Sequence, residues 1–292
     1  MPLHISAPRT IVTATARLSY DTVGDAAAPP LVLIQGLGAQ SLGWHPDFCR
    51  ALADAGYHVI RPDNRDVGLS QKFPGGGYTL ADMATDIAGL IDALGIDSAH
   101  IVGQSMGGMI AQELALRERA FVRSMTLIYT CAHPDRIDNA AITERSEALT
   151  AVPTNRDEAI AAYLENESFC AGEAYPNDTG WLTRLGGQMY DRDPASDAVP
   201  RQFDAILTSR DRRPLLPSIT TPTAILCGDS DRLIDPRAST ELHHLIPGST
   251  LTVFEGMGHA LPQPLWKDIV SIIDTNCRRV NVASAAAPAD AR

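Results

Sequence analysis

Short apolar runs alternate with longer amphipathic stretches along most of this chain. From Thr10, "TIVTATARLSY" sets apolar and polar residues in turn, which predicts a half-exposed strand or hairpin arm. "PPLVLIQG" is continuously apolar and stops at Gly36, the pattern of a strand covered on both faces. "SLGWHPDFCRALADAG" then reads as a helix closed by Gly56, and "YHVIRPDNRD" as a strand running into a loop. "FPGGG" is incompatible with regular structure. In "TLADMATDIAGLIDALGI", Thr79 and Asp82 form a capping-box pattern, and Met83, Ile87, Leu90, Ile91 and Leu94 make one apolar face. Next come "HIVG" as a strand, "MGGMIAQELALRERA" as a helix and "VRSMTLIYT" as a strand.

Strands and helices in close alternation predict an α/β fold with a mostly parallel central sheet flanked by helices. The alternation stops near His133, and up to Pro214 only helical patterns follow, with "YLENESFC" and "WLTRLGGQMY" carrying the larger side chains. It resumes with "PTAILCGDSD", "RASTELHHLIPG", "STLTVFEGMGH" and "PLWKDIVSIIDTNCRRV" as strand, helix, strand and helix. Residues 1–132 and 215–282 are therefore expected to form the core, and residues 133–214 a helical cap inserted between the two halves of the sheet. The tail, residues 283–292, is small residues and Pro with little to bury, and is expected to fray.

Composition narrows the function classes. A formal net charge of −11 and a sequence pI near 5.1, with no basic block, argue against a nucleic-acid or anionic-membrane surface. No stretch approaches the roughly 18 unbroken apolar residues of a membrane span. The first residues lack the apolar run of a secretory signal. Cys49, Cys131, Cys170, Cys227 and Cys277 are odd in number and scattered, so a cytoplasmic location is expected, with each cysteine a small buried or half-buried hydrophobe. Neither a metal nor an organic cofactor is called for, because no His/Cys set has ligand spacing. Nothing in the sequence sets the oligomeric state.

The chemistry centres on "GQSMGG", residues 103–108. A bare G-x-S-x-G arises by chance in about one protein in ten of this length. Its context, directly after a strand and opening a helix, makes it informative. A strand-to-helix turn at the carboxyl end of a parallel sheet lifts Ser105 clear, Gly103 and Gly107 remove side chains that would collide, and the helix N-terminus faces any developing anion.

A serine hydroxyl needs a base, and the base an orienting acid. His259 follows glycine just past a late strand, where the mouth of the sheet should be. His45, His58, His100, His243 and His244 fall within helix or strand patterns and offer less. For the acid, "TAILCGDSD" ends in a turn with Asp229, Asp231 and Asp235 nearby, and position alone leaves the three open.

"LVLIQGLG", "VIRPDNRDVGLS", "GQSMGG", "CGDSDRLIDP" and "MGHALP", taken in order, resemble the motifs of the α/β-hydrolase family, from about Thr10 to Arg279. Within that family, the stretch from Gln35 to Ser70 is most similar to bacterial esterases related to aclacinomycin methylesterase. The resemblance implies Ser105 as nucleophile, His259 as base and, in the G-x-x-D that begins at Gly228, Asp231 as acid. Asp229 then becomes a turn residue and Asp235 a helix cap or surface group. It also implies an oxyanion hole from the backbone N–H groups of Leu37 and Met106. Many relatives carry His-Gly where this chain has Gln35-Gly36, but a main-chain donor tolerates that change. In "DNRDVGLS", Asp63, Arg65 and Asp66 are read as a salt-linked structural turn.

The expected activity is hydrolysis of a carboxylic ester of a small to medium hydrophobic molecule through an acyl-enzyme. Serine at position 105 disfavours the dehalogenase and epoxide-hydrolase branches, which need aspartate there. Thioesterase, lactonase, perhydrolase and C–C bond hydrolase share the same triad. A non-catalytic ligand receptor on this fold is the alternative from another class. Tyr163, Phe169, Trp181, Met189 and Tyr190 either line an apolar pocket or form the cap's own packing.

Overall fold

The computed structural model describes residues 4–144, 151–194 and 197–285 of the chain, with side chains to residue 280. In chain order the elements are β1 Arg9–Val12, β2 Arg17–Val23, β3 Pro30–Ile34, α1 Pro46–Asp54, β4 His58–Pro62, α2 Leu80–Ala93, β5 Ala99–Gln104, α3 Met106–Arg117 and β6 Val122–Ile128. Among the described residues, the α-helices that follow are α4 Asn139–Glu144, α5 Arg156–Cys170, α6 Thr179–Arg192 and α7 Ala198–Leu207. The chain then returns to the sheet with β7 Thr223–Gly228, α8 Arg237–Leu245, β8 Thr250–Phe254 and α9 Trp266–Ala285.

The eight strands form one sheet in the order β1-β2-β4-β3-β5-β6-β7-β8. β1 pairs antiparallel with β2, and β2 with β4, while every other pairing is parallel. The chain leaves β3 toward β4 on one side and then crosses to β5 on the other. This reversal opens a crevice beyond the carboxyl ends of β3 and β5, where ligands of open α/β sheets bind.

The continuous apolar run of β3 is explained by where its side chains go. Val32 and Ile34 join the core under α2, α3 and α8, which supply Ile87, Met109 and Leu242. Leu31 and Leu33 point the other way, against Phe48 and Leu52 of α1 and Ile269 and Ile273 of α9. Side chains alternate across a strand, so a strand sandwiched between two helical layers is apolar at every position.

The capping box at α2 is present: Thr79 Oγ1 accepts from the Asp82 N–H, and Asp82 accepts from the Thr79 N–H. The first helix differs from its expected start at Ser41. A short 3₁₀ turn occupies Ser41–Gly43, and α1 begins only at Pro46. Proline at the first helical position holds the preceding His45 out of helical geometry, at φ −53° and ψ 136°. Part of the tail expected to fray is the end of α9, and residues 286–292 lie outside the described residues. Among the described residues, no helix is long and apolar enough to cross a membrane.

Candidate active site

Ser105 sits between the last residue of β5 and the first of α3, at φ 54° and ψ −122°. Non-glycine residues seldom adopt this backbone, at a cost of about 1–3 kcal/mol. Surrounding bonds hold it there. The Ser105 N–H donates to Ile128 O at 2.9 Å, and the Ser105 carbonyl accepts from Thr130 Oγ1 at 2.7 Å and from the Gly108 N–H at 2.9 Å. The flanking glycines are required by contact. A Cβ on Gly103 would lie 2.2 Å from the Gly107 carbonyl oxygen, and one on Gly107 would lie 2.2 Å from that of Ile34.

His259 lies in the loop after β8 and Asp231 in the loop after β7. The structure joins them to Ser105 in one chain of hydrogen bonds: His259 Nε2 to Ser105 Oγ at 2.9 Å, and His259 Nδ1 to Asp231 Oδ2 at 2.7 Å. The other carboxylate oxygen, Oδ1, accepts from the N–H groups of Leu233 (2.8 Å) and Ile234 (3.0 Å). Both oxygens are thus engaged in a side chain only 1% exposed. Asp229 instead accepts from the Gly256 N–H at 2.7 Å and ties the two loops together. Asp235 accepts from the Arg237 N–H and pairs with its guanidinium at the start of α8. A hydroxyl, an imidazole and a carboxylate so connected can move a proton off the hydroxyl as it attacks an electrophile.

Leu37 lies in the loop after β3. Its neighbours are bonded: Gly36 N–H to Gln35 Oε1, Gly38 N–H to Gln202 Oε1, and Ala39 N–H to Gly36 O. No protein acceptor among the described residues takes the Leu37 N–H. Met106 is the first residue of α3, where intrahelical acceptors do not exist. Gln35 is fully buried and its Oε1 accepts from Gln104 Nε2.

A cavity of about 610 Å³ opens over these groups. Ser105, His259 and Leu37 lie on its floor, and Tyr163, Trp181, Met189, Val199 and Phe203 come from the helices between β6 and β7. Of the five large residues singled out there, Tyr163, Trp181 and Met189 line the cavity. Phe169 packs under the Arg232 guanidinium, and Tyr190 is not among the described lining residues.

His45 also lines the cavity, which the helical reading of its segment concealed. Its ring centroid is 4.6 Å from those of both Trp181 and Trp266, and burial lowers its pKa. The signal was the Pro46 beside it, which forces the chain out of a helix there. Tyr129 and Gln104 were missed as well, because each reads as ordinary strand-end sequence. Asp63, Arg65 and Asp66 are each salt-linked, but to partners outside their turn: Arg192, Asp86 and Arg201.

Comparison with known proteins agrees with this architecture. The family model described as alpha/beta hydrolase fold matches residues 29–262. The rhodomycin D methylesterase DauP of Streptomyces sp. (strain C5) is 28% identical over 302 residues, covering 94% of this chain and 99% of that protein. RutD of Yersinia enterocolitica, a candidate carbamate hydrolase, is 31% identical over 244 residues, covering 80% of this chain and 82% of that protein. Among solved structures, the esterase RhEst1 from Rhodococcus sp. ECU1013 superposes with a TM-score of 0.78 at 23% identity, over 94% of this chain and 100% of that one. With the family model spanning most of the chain, this protein belongs to the α/β-hydrolase fold family.

Proposed function

We propose that the protein is a serine hydrolase that cleaves carboxylic esters of small to medium hydrophobic molecules. The observation that carries this reading is the hydrogen-bonded chain Ser105–His259–Asp231 on the floor of a largely apolar cavity. The methylesterase name of DauP is consistent with it.

His259 Nε2 takes the Ser105 proton as Oγ attacks the ester carbonyl. The Leu37 and Met106 N–H groups stabilise the tetrahedral oxyanion, each such donor being worth about 3 kcal/mol of barrier. The imidazolium then gives its proton to the leaving alkoxide, and the alcohol departs. The same imidazole deprotonates a water that attacks the acyl carbonyl, and collapse of the second intermediate returns the proton to Ser105. Asp231 holds Nδ1–H and stabilises the charged imidazole. No step calls for a metal or organic cofactor. Residues 133–214 act as a cap that shapes the acyl and alcohol subsites through Tyr163, Trp181 and Phe203.

Hydrolysis of p-nitrophenyl esters from acetate to decanoate, with Ser105→Ala alongside, tests the reading. We expect turnover in the wild type and a loss of at least about 10³-fold in the variant. Turnover in Ser105→Ala equal to wild type would rule out the assignment.

A further inference from the structure

α7 begins at Ala198, and Val199 and Gln202, three residues apart, share the face that meets the loop after β3. Gln202 is fully buried, and its carboxamide is used at both ends. Oε1 accepts from the Gly38 N–H at 2.8 Å, and Nε2 donates to the Arg65 carbonyl at 2.8 Å. One side chain from the segment between β6 and β7 thus bridges the loops after β3 and β4. Val199 presses on the same point: a Cβ on Gly38 would lie 2.6 Å from its Cγ2. Arg201, the preceding residue, grips Asp66 with two hydrogen bonds of 3.0 Å, which anchors this part of α7.

Gly38 is at φ 68°, and the Ala39 N–H closes a turn onto Gly36 O. Leu37 and Gly38 are therefore the central residues of a tight turn with a left-handed second position. The peptide plane that carries the Gly38 N–H is held from outside by Gln202. The adjacent plane carries the Leu37 N–H, and only the Leu37 Cα separates the two.

We infer that Gln202 is a positioning residue for the oxyanion hole, fixing the direction of the Leu37 N–H through its bond to Gly38. The docking of α7 is then a condition for turnover as well as for pocket shape. This inference rests on the proposed ester hydrolysis. A preorganised donor helps because it needs no reorientation as charge develops, so loosening it weakens transition-state binding more than substrate binding.

The test compares wild type, Gln202→Leu and Gln202→Asn. Leucine removes both hydrogen bonds at similar volume, and asparagine keeps an amide one methylene too short to span both partners. For each, kcat and KM are measured on a p-nitrophenyl ester, with the inhibition constant of an aryl trifluoromethyl ketone. That ketone adds Ser105 Oγ to its carbonyl carbon, sends the hydroxyl proton to His259 and leaves an oxyanion in the hole. In Gln202→Leu we expect kcat to fall about 10- to 100-fold, KM to stay within about threefold, and the ketone to weaken in step with kcat/KM. In Gln202→Asn the same split is expected at smaller size. Thermal unfolding reports whether each variant is folded.

A folded variant whose kcat and ketone affinity stay within twofold of wild type overturns the inference. So does a lower kcat with unchanged ketone affinity. If leucine prevents folding, the asparagine variant decides by the same criteria. A wild type that turns over no ester defeats the proposed function instead, and ketone affinity then still reads out the oxyanion loop.

Discussion

Tyr129 lays its ring against the imidazole of His259, with centroids 4.5 Å apart, and donates its hydroxyl to Oε1 of Gln104 at 2.7 Å. One buried residue thus touches both His259 and the neighbour of Ser105. Its backbone is left-handed, at φ 37°, a conformation that costs an aromatic residue energy and is held by its N–H bond to Leu226 O at 2.7 Å. We expect Tyr129→Phe, which keeps the ring, to lower kcat about threefold to tenfold, and Tyr129→Ala, which frees the imidazole, about 100-fold. Steady-state kinetics on both variants checks this, and equal rates would show that the ring does not hold His259 in place.

The turn around Ser105 leaves no room for side chains. Gly107→Ala would set a methyl carbon 2.2 Å from the Ile34 carbonyl oxygen, which is main chain and cannot swing away. A loss of at least about 3 kcal/mol is expected, with much lower soluble yield. Gly75→Ala is the control, since a Cβ there meets nothing within 4 Å, and stability should stay within about 0.5 kcal/mol. Urea unfolding of the two variants makes the comparison.

The Asp66–Arg201 pair predicts an acid limit. Burial pushes the Asp66 carboxyl up, but hydrogen bonds from Arg201 and the Phe73 N–H outweigh it and hold its pKa below the usual 3.8. A depressed carboxylate contributes stability above its unfolded pKa and loses it as pH falls through the folded one. Arg201→Gln leaves Asp66 buried without its cation, so we expect a loss of about 3–5 kcal/mol at neutral pH. Acid unfolding should also begin at a higher pH, which circular dichroism against pH would record.

His100 acts in a higher window. Burial holds its imidazole down to about 4, from an ordinary 6.5, while its Nδ1 is hydrogen-bonded to Ser124 Oγ at 2.8 Å. The folded state keeps this ring neutral, so its contribution is complete above pH 6.5 and declines as pH falls toward 4. The full effect is about 3 kcal/mol. Replacing it by Asn should flatten the dependence of Tm on pH across that interval, and an unchanged slope would assign the loss to other groups.

The alternation of apolar runs was enough to read the sheet, because a strand covered on both faces must be apolar throughout and an amphipathic helix must repeat every three to four residues. The capping box at Thr79 and the glycine-flanked Ser105 were legible for the same reason, since each is settled within a few residues of chain. The place of His259, in the loop after β8, was legible from the glycine before it and the strand before that. Among Asp229, Asp231 and Asp235, residue types alone could not choose. The three differ in where their oxygens point, and that depends on how two loops pack together.

His45 shows a local reading overridden by one proline. Gln202 shows the opposite limit: its partner Gly38 is 164 residues away, and nothing around either position in the sequence marks the bond. Local chemistry, written in neighbouring residues, set the elements and the tight turn at Ser105. The carboxylate that meets His259, the wall of the cavity and the hold on the loop after β3 were decided by tertiary structure. Each of these requires side chains distant in sequence to arrive within about 3 Å of one another, and only the packed fold brings them there.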